Sequence, residues 1–175
     1  MTMPIEIDVW QGEIGELEVD AILIPANESL FMTTPVGRAV KLRAGEHIER
    51  DAVAQGPVAA GTAVVTAGGD LAAPYIIHVV GVGHDLVADE QRLQNAIDAA
   101  LEAAARLGLH RLALAPIGVE RGVFEAELAA AVVADVLERR GAAGGALPSR
   151  IAVVVSNPAE AAAYRAALQP LGAGA

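Results

Sequence analysis

Apolar and polar positions along this chain change period several times, and each change marks an element. Ile5-Glu-Ile-Asp-Val9 alternates, the pattern of a strand with one face toward solvent, and reads as a half-exposed edge strand. Ala21-Ile-Leu-Ile24 is continuously apolar, as a strand covered on both faces must be, with Gly12 in the turn between the two. Val36 to Arg43 has helical spacing, and Glu46 to Ala54 extends or restarts it after Gly45. Gly61-Thr-Ala-Val-Val-Thr66 and Tyr75-Ile-Ile-His-Val-Val80 are two more strands, expected to pair across the Gly68-Gly69-Asp70 turn.

From Asp89 to Leu107 apolar residues fall at Leu93, Ile97, Leu101 and Leu107, and Gly108 follows as a stop signal. Arg111-Leu-Ala-Leu-Ala115 is then a strand. Glu125 to Arg140 is a helix, acidic at its start and basic at its end as the macrodipole favours. Gly141 to Ala146 reads as a loop and Ile151 to Val155 as the last strand. Asn157 then caps a final helix with Pro158 at its first position and Glu160 in its first turn. Six strands or so alternating with four or five helices predict an α/β fold: a three-layer α/β/α sandwich on a mixed, mainly parallel sheet. Neither a repeat nor a linker interrupts the pattern, so residues 1–170 are expected to form one domain and 171–175 a frayed tail.

Composition refines this picture. The chain is 54% hydrophobic but only 3% aromatic, so its core must be built from small aliphatic side chains. The formal net charge is −10, and the 12 Lys and Arg are scattered, which argues against a duplex nucleic-acid partner. A small anionic nucleotide is not excluded, because a few local donors can offset a diffuse, screened field. Cysteine is absent, which removes disulfides, thiolate nucleophiles and Cys-based zinc sites. No run approaches the ~18 apolar residues of a membrane span, and the opening Met-Thr-Met-Pro-Ile-Glu-Ile is unlike a secretory leader, so the expected location is cytoplasmic.

Two strand-like runs spill into loops that could meet a ligand, Ile22-Leu-Ile-Pro-Ala-Asn27 and Pro116-Ile-Gly-Val-Glu-Arg-Gly-Val-Phe124. In α/β proteins such loops gather unpaired backbone N–H groups at strand ends, a natural seat for phosphate. Asn27 has two readings, a ligand contact or the cap of the following turn. Glu13 reads as a contact or a solvated turn carboxylate, and Phe124 as a stacking ring or a core anchor. Thr33-Thr-Pro-Val-Gly-Arg38 could hold an anion at a helix start, or simply close a loop. His78 lies within an apolar strand and reads as a hydrogen-bonded core residue. His47, His84 and His110 are dispersed without the i, i+4 partner of zinc sites, so neither metal nor cofactor is expected.

The order and spacing of several elements resemble the macro domain family. Gly12-Glu-Ile14 and Val19-Asp-Ala-Ile22 are similar to its Gly-Asp-Ile and Val-Asp-Ala-Ile, and Ile24-Pro-Ala-Asn27 matches Asn-Ala-Ala-Asn at its last two positions. Leu30 and Val36 hold the spacing around the family's glycine-rich first loop. Gly61 to Thr66, Gly68-Gly-Asp-Leu71 and Tyr75-Ile-Ile-His-Val-Val-Gly81 resemble its Gly-x-x-x-x-Thr, Gly-x-Leu and Tyr-x-Ile-His-x-Val-Gly. The likeness runs from about Ile5 to Tyr164. It implies binding of ADP-ribose, free or on an ADP-ribosylated protein. The residues so implied are Glu13 and Ile14 at the base, Asn27 with Thr34 and Val36 near the distal ribose, and Gly118, Val119, Glu120, Arg121, Gly122, Val123 and Phe124 around the diphosphate.

The departures from the family pattern fall in that site. Glu13 stands where the family places aspartate, one methylene farther out. Thr33, Thr34 and Pro35 replace three glycines, and proline has no N–H to donate. Glu120 replaces a glycine near the diphosphate, where a carboxylate facing inward is repulsive and Arg121 could compensate; the sequence leaves open which of the two points inward. Hydrolytic members pair an asparagine matching Asn27 with an aspartate that is here Gly37, so hydrolysis of ADP-ribose derivatives is expected to be weak or absent, with Asn27 as the one candidate catalytic residue. Binding is the expected function. The alternatives are an occluded pocket serving as an interaction or oligomerisation module, another phosphate-bearing ligand, or an enzyme using Asn27 with Glu120 as base.

Overall fold

A computed structural model describes residues 4–172. The strands are β1 (Glu6–Gln11), β2 (Ala21–Pro25), β3 (Thr62–Ala67), β4 (Tyr75–Val80), β5 (Arg111–Leu114) and β6 (Arg150–Val155). The helices are α1 (Pro35–Ala44), α2 (His47–Val53), α3 (Glu90–Arg106), α4 (Ala126–Ala142) and α5 (Pro158–Leu168). The six strands form one sheet in the order β1-β6-β5-β2-β4-β3. Every pairing is parallel except β3 with β4, which run antiparallel across the Gly68-Gly69 turn. The expected mixed, mainly parallel sheet is the one observed, with β1 at an edge.

The pleat explains the layers, because successive side chains of a strand face opposite ways. Ala21 and Leu23 of β2 pack with Leu93, Ile97 and Val133 into the core under α3, α4 and α5. Ile22 and Ile24 turn the other way to meet Val40, Ala44 and Ile48 of α1 and α2. A smaller cluster of Leu30, Ala52, Val64 and Val80 closes the β3 end. Central strands thus bury both faces, which is why β2 and β6 are written as unbroken apolar runs.

Local signals fix most boundaries. Thr34 caps α1 by accepting from Gly37 N–H at 2.9 Å, with Pro35 at the first position, and Gly45 with φ +107° ends it, so α2 is a separate helix. Asp89 caps α3 through Arg92 N–H at 3.2 Å. On α5, Asn157 accepts from Glu160 N–H at 2.9 Å while the Glu160 carboxylate reaches back to Ser156 N–H at 3.0 Å.

Two boundaries differ from expectation. Helix α4 runs through Gly141 to Ala142, since Ala143 N–H still reaches Arg139 O at 3.0 Å and the chain leaves only at Gly144 with φ +76°. At the carboxyl end, Leu171 closes a 3-10 turn and packs on the main core, and Gly172 bridges Ile5. Residues 171 and 172, expected in the tail, thus make contacts with the rest of the chain; residues 173–175 of the expected tail lie outside those described.

Candidate functional site

The strand order places a crevice outside the carboxyl ends of β2 and β5, where the chain leaves toward β4 on one side and β6 on the other. A two-lobed cleft fills this position, with Pro35 as a wall common to both lobes. The first lobe, about 230 Å³, is apolar and lies among Ile14, Val36, Val40, Ala115 and Val154, with Glu13 and Arg43 at its rim. The second, about 370 Å³, is polar and includes Asn27, Thr34, Arg38, His84, Glu120 and Arg121. Helix α1 lies along both.

The apolar lobe is framed by Arg43, whose guanidinium reaches Glu13 at 3.4 Å and Glu16 at 2.7 Å. These contacts pin the turn after β1 to α1. The turn packs closely on the arginine stem: a Cβ at Gly15 would stand 3.0 Å from Arg43 Cδ. Ile14 is buried beneath the turn, whereas Glu13 remains exposed.

In the polar lobe, side chains that could contact a ligand are largely engaged with the protein itself. Asn27 Nδ2 donates to Phe31 O at 3.1 Å and Thr33 Oγ1 at 3.2 Å, and its Oδ1 accepts from Ser29 at 2.7 Å. The Thr34 hydroxyl is occupied by the helix cap. Gly37 sits so tightly under that cap that a Cβ would lie 2.9 Å from Thr34 Oγ1 and 3.4 Å from Met32 backbone, leaving poor room for a side chain. The neighbouring loop after β4 is held by Glu28, which accepts from Ala60 N–H at 3.3 Å and His84 N–H at 3.1 Å.

Glu120 resolves the question of orientation. Its carboxylate folds inward and accepts from Gly118 N–H at 3.0 Å, while Arg121, in the left-handed region at φ +53°, is exposed and lines the open side of the polar lobe. Burial pushes the Glu120 carboxyl up to about 7, against the opposing pull of the Gly118 and Glu120 N–H groups. Beneath the loop, burial likewise raises the Tyr164 hydroxyl above its ordinary range. Among the described residues, no three histidine or carboxylate side chains converge as a metal site.

A Macro domain family model matches residues 24–133. The chain belongs to the macro domain family. A macro domain-containing protein of Cupriavidus necator is 38% identical over 145 residues, covering 78% of this chain and 83% of that protein. An uncharacterised protein of Mycobacterium tuberculosis is 31% identical over 165 residues; these are 94% of this chain but only 45% of the relative, so the chain spans less than half of that protein. Among solved structures, the macro domain of ganglioside induced differentiation associated protein 2 superposes with TM-score 0.81 at 26% identity, covering 95% of this chain and 83% of that one. A Trypanosoma brucei macrodomain in complex with ADP-ribose superposes with TM-score 0.81 at 20% identity, covering 93% and 69%.

Within this macro domain, Glu13, Ile14 and Val36 gather in the apolar lobe and Asn27, Thr34, Glu120 and Arg121 in the polar one. The other expected residues of the second loop line neither lobe, although Pro116 at its start lines the apolar one. Gly118 is buried against Phe124, Phe124 belongs to the main core, Val119 and Val123 pack on that core, and Gly122 is exposed at φ +70°. Two contributions escaped the sequence reading: Val154 to Ser156 at the end of β6, and Val82 to His84 with Leu86 after β4. The signal was present, since both segments follow parallel strands and the strand-end rule applies to every one of them.

Proposed function

We propose that this macro domain binds ADP-ribose or a related ADP-ribosyl nucleotide, with the base in the apolar lobe and the diphosphate and distal ribose in the polar one. The observation that carries this reading is the cleft itself: an apolar lobe and a polar lobe with two arginines, joined at Pro35 over the carboxyl ends of the parallel strands. Relatives of the same fold support it, an Oceanobacillus iheyensis macrodomain variant with ADPR and the Trypanosoma brucei macrodomain with ADP-ribose. Binding is favoured over hydrolysis, because Gly37 offers no acid beside Asn27 and the Asn27 amide is already spent on its own loop.

A second reading has one specific observation behind it. The Asn27 amide, the Thr34 hydroxyl and the Gly118 N–H are all satisfied internally, as in a pocket turned over to interaction or to a different phosphate-bearing ligand. Calorimetric titration with ADP-ribose, with AMP and NAD as comparators, separates the two. Micromolar binding that Glu13→Ala weakens about tenfold is the expected result; no heat from wild type or from Glu120→Gly would overturn it.

A further inference from the structure

We propose that Glu120 decides which anions enter the cleft: its carboxylate occupies the Gly118 amide as an internal stand-in, and a diphosphate-bearing ligand binds by displacing it in neutral form, with uptake of a proton. This deepens the nucleotide-binding reading and rests on it. Three observations in the polar lobe lead there. Arg38 and Arg121 both line it, and neither pairs with a carboxylate among the described residues, so the lobe offers positive charge to an anion. The one carboxylate on the same wall, Glu120, pairs with neither arginine and instead holds a backbone N–H at 3.0 Å. That carboxyl group is desolvated, and only N–H groups and no cation offset its burial.

Gly118 is buried behind the Glu120 carboxylate, so a diphosphate reaches its N–H only after Glu120 has moved aside, and an ionised Glu120 repels it until then. Protonation removes the repulsion and frees the Gly118 N–H. Burial pushes the carboxyl up to about 7, which sets the competition within the physiological range.

Other charged groups surround the loop. Arg38 stands on α1 and Arg121 beside Glu120 itself. On α3 and the loop after β4, Arg92 is tied to Asp85 at 3.0 Å. Beneath, on α5, Glu160 is held by Ser156 at 2.7 Å and Tyr164 stays protonated. Glu28, on the loop after β2, accepts from the Ala60 and His84 N–H groups, and His84 is an exposed ionisable side chain in the polar lobe itself.

The test is calorimetry from about pH 6 to about pH 8.5 with ADP-ribose and with UDP-glucose, both diphosphate diesters that carry no titration of their own in this range. Runs in two buffers of different ionisation enthalpy count protons. Wild type is expected to bind ADP-ribose about thirtyfold more weakly at the alkaline end, taking up close to one proton there. Glu120→Gln, which keeps an acceptor for Gly118 N–H without the charge, is expected to bind with level affinity, and Glu120→Gly likewise; His84→Ala keeps the wild-type slope.

ADP-ribose binding that is level with pH in wild type, or a slope that survives in Glu120→Gln, overturns the role of Glu120 and leaves nucleotide binding standing. UDP-glucose bound with the Glu120-dependent slope, and ADP-ribose not bound, overturns the ADP-ribose reading alone. Silence of wild type and both Glu120 variants toward both ligands at about pH 6 overturns the two together.

Discussion

At the scale of single residues, the buried His78 and the half-buried Glu120 tilt stability in opposite directions with pH. Burial raises Glu120 from its ordinary 4.5 to about 7, so between these values the folded state holds the proton more tightly than the unfolded chain, and stability falls as pH rises through that window. His78, hydrogen-bonded to Thr66 at 2.9 Å, is pushed by burial from 6.5 to about 4. Here the unfolded chain binds the proton first, so stability is lost as pH falls from 6.5 toward 4. Each shift corresponds to about 3 kcal/mol. Glu120→Gln is expected to stabilise the fold by up to about that amount at pH 8 and by less than about 1 kcal/mol at pH 5, while the acid-side loss due to His78 persists. Denaturant titrations at the two pH values check this; equal gains at both would mean that the Glu120 carboxyl is not ionised at a cost. His78 was legible as a core residue because it interrupts an apolar strand. The direction of Glu120 was not, because it rests on a hydrogen bond to the Gly118 N–H within a turn whose left-handed residue, Arg121, is one that the sequence does not announce.

At the scale of elements, the strands and helices were readable because burial on both faces, helical spacing and capping residues each leave a local trace. The cleft was only partly readable, because it is assembled from five strand ends far apart in sequence, and those of β4 and β6 carried no recognisable loop. Helix α3 joins those loops in a way no motif reveals. Leu93 is fully buried, and its methyl groups lie within 2.8 Å of a Cβ built on Gly81 and 3.0 Å of one built on Gly118, so it props both the loop after β4 and the loop after β5. Leu101, also buried on α3, faces the opposite end of the sheet, near Leu109 and Leu112. Leu93→Ala and Leu101→Ala are each expected to cost about 2–5 kcal/mol in denaturant unfolding. Only Leu93→Ala should also weaken ADP-ribose binding, about tenfold, equivalent to ~1.4 kcal/mol. If both variants bind as wild type does, the loops hold their shape without this support.

For the whole molecule, the decisive property is a net charge of −10 around a cleft whose polar lobe carries Arg38 and Arg121. The two fields act over different ranges. At about 10 mM salt the screening length is ~30 Å, so an approaching diphosphate meets the repulsion of the entire surface; at about 150 mM it shrinks to ~8 Å, and only the nearby arginines are felt. Repulsive steering slows association as attractive steering speeds it. The association rate of ADP-ribose, followed by stopped-flow, is therefore expected to rise severalfold between these two salt concentrations. Most nucleotide sites with a basic surface would show the reverse. Arg38→Ala and Arg121→Ala should weaken binding at the higher salt, where the local charges dominate. A wild-type rate that falls with salt would mean that these two arginines govern approach as well as capture, and that the acidic surface has no part in selecting the ligand.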